Sequence, residues 1–341
     1  MAIHSVVRRV AILGALIGAL SCEHTQPFSN PGYESTTPLQ PGNPAQLTYN
    51  PGADVRPSWL PDGSAFLYTQ EQTDITERDR CLVVMPKTGG GITRTICAAD
   101  DFAHDTLNDL ESAAVNTAAR MAYVRTSMLA GIGRAGPDHA AMVLGSYGTP
   151  VPGTVLHVLP YPSPSGQGVD MASDLSWVGP SALVYLGEQV TYPAVCAGCV
   201  TVDTVRSGVE IDRIDLNGTI SVVVDTGFPT SASVVGGDTL YYTLTNSGTI
   251  HRRILSTAAD TVVFDYGLPA TDVSAVRGRL AVVVLGQLHV LSLSPFADQT
   301  LTTPHPGQII AHPALDPAGH LIVAEVSDST ALSNLWLWTV P

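Results

Sequence analysis

Ten histidines, thirty aspartates and glutamates and five cysteines are the side chains of this 341-residue chain best suited to chemistry, and their spacing decides what they could do. The densest polar group is Asp100, Asp101, His104, Asp105, Asp109 and Glu111. Carboxylates and an imidazole so placed could hold a hard cation or zinc. The spacing fits no EF-hand loop, and a solvated acidic loop on an acidic chain is the simpler reading, so no metal site is assigned. His251, His289, His305, His312 and His320 are scattered over the last third, each reading as packing or surface. Nucleophile elbows, phosphate loops and zinc-protease helices are not found. Gly89, Gly90 and Gly91 form a Gly run that no helix follows, so it reads as a hairpin turn. No catalytic residue and no cofactor are predicted.

The cysteines point to structure rather than reactivity. Leaving Cys22 aside, four remain, which allow three connectivities. Cys81 and Cys97 lie symmetrically about Gly89, between two β-like runs, where opposed hairpin residues come close enough for a disulfide. Cys196 and Cys199 then pair as a small loop staple. A redox couple or half a zinc site is the functional alternative for Cys-Ala-Gly-Cys. No thioredoxin-like context surrounds it, and no second free pair remains.

The chain is 45% hydrophobic and 13% charged, with 31 Gly and 25 Pro, which favours an all-β protein with many turns. Its formal charge is −14 and Lys87 is its only lysine. No basic patch exists to neutralise phosphates, so nucleic acid is excluded as a partner. Residues 1–21 read as a signal peptide: Arg8 and Arg9 precede the apolar run Val10 to Leu20, too short to span a bilayer. Ala19-Leu20-Ser21-Cys22 resembles the lipobox of bacterial lipoproteins, with Ala19 where Leu is commonest. That resemblance implies cleavage before Cys22, acylation of its thiol and a lipid-anchored place in the bacterial envelope, periplasmic or at the cell surface. The other reading is a plain secretory signal. Cleavage would leave 14 cationic against 30 acidic residues, a charge of −16. Residues 22–45, rich in Pro, Ser, Thr, Asn and Gly, read as a disordered tether.

The elements that would position any site follow from Ala53 to Thr69, ADVRPSWLPDGSAFLYT. It predicts a strand (Val55 to Leu60), a Pro61-Asp62-Gly63-Ser64 turn and a second strand (Ala65 to Thr69). The Pro-x-Trp-x-Pro-Asp-Gly core resembles the repeat of TolB-type, WD-like β-propellers, where it forms the inner strands of a blade. Weaker copies recur, with inner turns near Gly63, Thr117, Gly179, Gly237, Gly278 and Gly319, a spacing of four-stranded blades. Asn217-Gly218 is the clearest hairpin signal. The last repeat shows three strands, about 309–313, 320–326 and 335–340, and the short strand from Gln46 to Tyr49 would supply a fourth. The expectation is an all-β, single six-bladed propeller over 46–341, closed by an N-terminal strand that completes the last blade. The one helical candidate is Ala99 to Leu110.

Trp59 and Trp177 occupy the same repeat position and are expected to pack between blades, and Trp336 and Trp338 to pack core or present an aromatic surface. Propeller architecture suggests the channel mouth as ligand site, with Asp54, Arg56, Asp174 and Asp272 as lining. The function expected is a monomeric binding scaffold for an envelope protein or small ligand. The alternative is a metal-dependent hydrolase or lyase with its site at the channel mouth.

Overall fold

The computed structural model describes residues 41–49, 52–71, 80–99, 106–129, 139–159, 167–191, 205–327 and 333–341. Every regular element among them is a β-strand. Twenty-four strands form six antiparallel sheets of four, each built from strands consecutive in the chain except the last. The inner strands, in order of the blades, are Asp54–Trp59, Thr106–Val115, Gln167–Val178, Pro229–Val235, Ala270–Val276 and Ile309–Leu315. The chain is a six-bladed β-propeller.

The ring closes as the sequence suggests, a few residues upstream of the expected strand. Pro44–Gln46 is the fourth strand of the sixth blade, pairing Pro44 with Trp338, Ala45 with Leu337 and Gln46 with Trp336. Leu47 and Thr48 still take part: Leu47 N donates to Leu335 O at 2.8 Å, and Leu335 N donates to Thr48 Oγ1 at 2.8 Å. Covering the last sheet edge this way removes a row of unpaired backbone groups.

The second strands show why the chain stacks its sheets in this manner. Ala65–Glu71 reads AFLYTQE, with five successive buried residues rather than an alternation. Both faces are covered: Phe66 and Tyr68 pack with Val323, Leu335 and Leu337 of the sixth blade, while Ala65 and Leu67 pack with Leu110, Met121 and Tyr123 of the second. Since side chains alternate across a strand, a continuous apolar run is what a sheet buried on both faces requires. Six such clusters fill the six gaps between blades. Burial fades outward, and the outer strands Ala259–Asp265 and Phe296–Thr300 are largely exposed.

Indole nitrogens lock neighbouring blades. Trp59 Nε1 donates to Ala314 O of the sixth blade at 2.9 Å, and Trp177 Nε1 donates to Ala114 O of the second at 3.1 Å. The two tryptophans therefore play the same part in the first and third blades. Trp338 is fully buried and donates to Thr302 O at 3.0 Å, with Trp336 packed on the same cluster, so the pair serves the core. Cys81 and Cys97 form a disulfide with a Cα–Cα distance of 4.6 Å, tying the third strand of the first blade to the residue beyond its outer strand. Cys22, Cys196 and Cys199 lie outside the described residues.

One expectation is corrected here. The stretch from Ala99 to Leu110 is not helical where it is described: Thr106 already begins the inner strand of the second blade, which runs to Val115. Asp100, Asp101, His104 and Asp105 lie outside the described residues, whereas Asp109 and Glu111 clamp the first blade to the second. Asp109 Oδ1 accepts from Arg80 N at 2.7 Å, and Glu111 Oε2 lies 3.3 Å from Arg80 Nη1.

Candidate functional site at the channel floor

Four of the six inner strands carry a bulge that places a side chain at the channel lining. In the first, second, third and sixth blades the pairing skips between Val55 and Ser58, Glu111 and Ala114, Ser173 and Ser176, and Ala311 and Ala314. Within these bulges Arg56, Ser112, Asp174 and His312 have φ of 54°, 51°, 51° and 43°. Left-handed backbone is uncommon for residues other than glycine and costs about 1–3 kcal/mol, so it survives only where the surroundings enforce it.

Hydrogen bonds between blades fix the equivalences. Ser176 Oγ accepts from Val234 N at 2.9 Å, Ser233 Oγ from Ala275 N at 3.0 Å, and Ser274 Oγ from Leu315 N at 3.0 Å. Counting two residues back from these serines gives Asp174, Ser231 and Asp272. The matching Trp contacts to Ala114 and Ala314 add Ser112 and His312, and Ser58 in the first blade gives Arg56 by the same count. One residue per blade thus forms a six-membered polar ring: Arg56, Ser112, Asp174, Ser231, Asp272 and His312. Above it the positions two residues on are all small, Ser58, Ala114, Ser176, Ser233, Ser274 and Ala314. Small side chains keep the space open, and a funnel of about 600 Å³ runs from the ring to a mouth at the inner turns, among them Pro61, Thr117, Gly179 and Pro317.

The ring charges are matched internally. Arg56 Nη1 lies 3.2 Å from Asp174 Oδ1, across the second blade. His312 Nδ1 lies 2.8 Å from Glu325 Oε1 and its Nε2 3.9 Å from Asp272 Oδ1. Glu325, on the second strand of the sixth blade, also accepts from Arg56 N at 2.6 Å and so joins the sixth blade to the first. Thr271 Oγ1 donates to Asp272 Oδ2 at 2.8 Å. Burial alone would lower the His312 pKa, but Glu325, Asp272 and Asp174 more than offset it and carry it up to about 9. Burial pushes the Asp272 carboxyl above the usual carboxylate range, partly opposed by His312. Ser112 Oγ is buried in the ring and has no hydrogen-bond partner among the described residues.

Of the four residues expected to line the channel, Arg56, Asp174 and Asp272 meet in this ring. Asp54 does not line the funnel: two residues before Arg56, it is fully buried and accepts from Gln70 Nε2 at 3.3 Å. Sequence reasoning read His312 as packing or surface and did not name Glu325. The signal for His312 was present, because aligning Pro313 with Pro57 puts it at the position of Arg56. Glu325 is the one charge in the apolar run LIVAEVS. The remaining described histidines do not converge: His251 pairs with Asp260 and His289 with Asp298, on the third and fourth strands of the fourth and fifth blades. Among the described residues, no group of three or more His, Cys, Asp or Glu side chains is arranged to hold a metal ion.

No protein-family model matches the chain, and no curated protein matches it. Solved structures do. The Cps50 (Swd1) β-propeller domain of Myceliophteria thermophila aligns with a TM-score of 0.53 at 11% identity, over 88% of this chain and 100% of that one. Oligogalacturonate lyase from Vibrio parahaemolyticus gives 0.52 at 10% identity, over 90% and 95%. TolB from Acinetobacter baumannii gives 0.49 at 15% identity, over 84% of this chain and 63% of that one. The first two likenesses support the propeller fold and nothing finer. The fold is one that serves an enzyme in the lyase, so function has to be argued from the site.

Proposed function

We propose that this chain is exported, anchored to the bacterial envelope by a lipid on Cys22, and acts there as a binding scaffold, with its funnel receiving a protein segment or a small ligand. The observation that carries the reading is the pairing of the funnel floor. Arg56 is matched by Asp174 and His312 by Glu325, so the charges form a preorganised base under a funnel of ligand size. Beside Glu325 and Asp272 the imidazole favours its protonated form, a cationic hydrogen-bond donor suited to holding an anionic or polar group. That chemistry supports recognition over the alternative of a metal-dependent hydrolase or lyase. Ser112, with its unused hydroxyl, offers the incoming group a hydrogen bond without breaking an existing pair.

The test is a cross-linked pull-down from native envelopes using wild type, Cys22→Ala and Ser112→Val. A stoichiometric partner that is lost in Ser112→Val and depleted in Cys22→Ala supports the scaffold. A metal copurifying with wild type, together with turnover abolished in His312→Gln, contradicts it.

A further inference from the structure

The face opposite the funnel carries an apolar arc that the binding reading above does not use. Phe228, Leu268, Leu285 and Ile309 are each at least half exposed. Phe228 and Leu268 sit on the links into the fourth and fifth inner strands, Ile309 opens the sixth, and Leu285 lies on a tight turn; backbone hydrogen bonds connect these segments. Thr245 N donates to Phe228 O, and Ala270 N to Ser247 O. Leu285 N donates to Pro269 O at 3.2 Å, and Ile310 N to Gly286 O at 3.2 Å.

Two of the four are held outward against local preference. Leu285 and Gly286, with φ of 49° and 75°, span a two-residue hairpin turn. The first position of such a turn favours Asn, Asp or Gly. Phe228 follows Gly227 with φ of 51°. Bulky side chains in left-handed backbone are outliers, and neither gains full burial in return. Local rules broken without a gain in the core mark functional surface.

The surrounding charge selects the occupant. Segments 225–230, 244–248, 264–271, 284–288 and 300–311 hold no Lys or Arg, while Asp225 and Asp265 are exposed beside the arc. Anionic lipid headgroups would be repelled by this rim. A second copy docking symmetrically would set acid against acid. We propose that the arc is a docking surface for a cationic amphipathic segment of another protein, whose apolar side covers the four side chains while its basic flank meets Asp225 and Asp265.

The probe is a synthetic amphipathic helix of leucine and lysine, titrated against the mature full-length protein with hydrogen-exchange readout. Protection is expected at residues 226–229, 266–269, 285–287 and 308–310. Affinity should fall by about tenfold or more in Leu285→Asn and in Ile309→Ser, and stay unchanged in Ile92→Ser, an exposed apolar residue elsewhere. Asn suits the left-handed position, so Leu285→Asn should melt no lower than wild type and a loss of binding cannot be ascribed to unfolding. Binding unaltered by both arc variants overturns the proposal. So does adsorption to phosphatidylglycerol vesicles, or self-association, that Leu285→Asn abolishes.

Discussion

The two ends of the channel use the same backbone device to opposite purpose. At the funnel floor, left-handed residues in the inner strands turn Arg56, Asp174 and His312 inward, where every charge meets a counter-charge. On the other face, left-handed residues in the links turn Phe228 and Leu285 outward, where they meet no core. Strain at the floor is held by partly buried charge pairing. Strain on the arc is held by turn geometry alone. Enforced backbone therefore does not reveal purpose by itself; what the side chain then meets does.

That contrast makes graded demands. The largest effect should come from Glu325, the buried carboxylate that serves both His312 and Arg56 N. Glu325→Ala removes the nearer counter-charge of a half-buried imidazolium and the acceptor of Arg56 N, leaving Asp272 alone beside the ring, and should lower stability in urea by about 2–3 kcal/mol. A loss below 1 kcal/mol would mean that the floor is not a matched network.

Next comes pH. The His312 pKa is raised from its ordinary 6.5 to about 9, so its contribution is fully present below pH 6.5 and is lost as pH rises through 9. Wild type should lose on the order of 2 kcal/mol across that window relative to His312→Gln, the imidazole being partly exposed and so partly screened. Parallel stability curves for the two proteins would refute the raised pKa.

A smaller, sharper pair follows from making one substitution at both ends. Arg56→Asn relieves left-handed strain but unpairs Asp174, and should cost about 1 kcal/mol net. Leu285→Asn relieves the same strain with little to lose, and should raise stability by about 0.5–1 kcal/mol. Thermal unfolding of both variants reads the sign directly, and equal signs would erase the distinction between the faces.

How far the sequence carried can be read from particular residues. Pro61-Asp62-Gly63 announces its turn because each residue answers a backbone requirement: Gly63 has φ of 67°, and Asp62 Oδ1 accepts from Ser64 N at 3.0 Å. The paired roles of Trp59 and Trp177 were legible from their shared place in the repeat. The closing strand was found but placed late, because Pro44 has no N–H and reads as linker, yet on an edge strand it needs none. Arg56, Asp174 and Asp272 could be guessed as lining from architecture. His312 was hidden because its repeat has lost the Trp and the Pro-Asp-Gly order, and Glu325 because its partners lie on other strands. Asp54 was misjudged by two residues, the distance that separates the channel lining from the buried polar layer beneath it.

The account rests most directly on the charge state of His312. Long-range nitrogen–proton NMR of the imidazole, recorded from pH 5 to 10 in wild type and Glu325→Gln, measures it. A doubly protonated ring persisting to about pH 9 in wild type, and titrating near or below 6.5 in the variant, is the predicted result. A neutral wild-type ring at pH 7 would contradict the paired floor, and with it the case for recognition over catalysis.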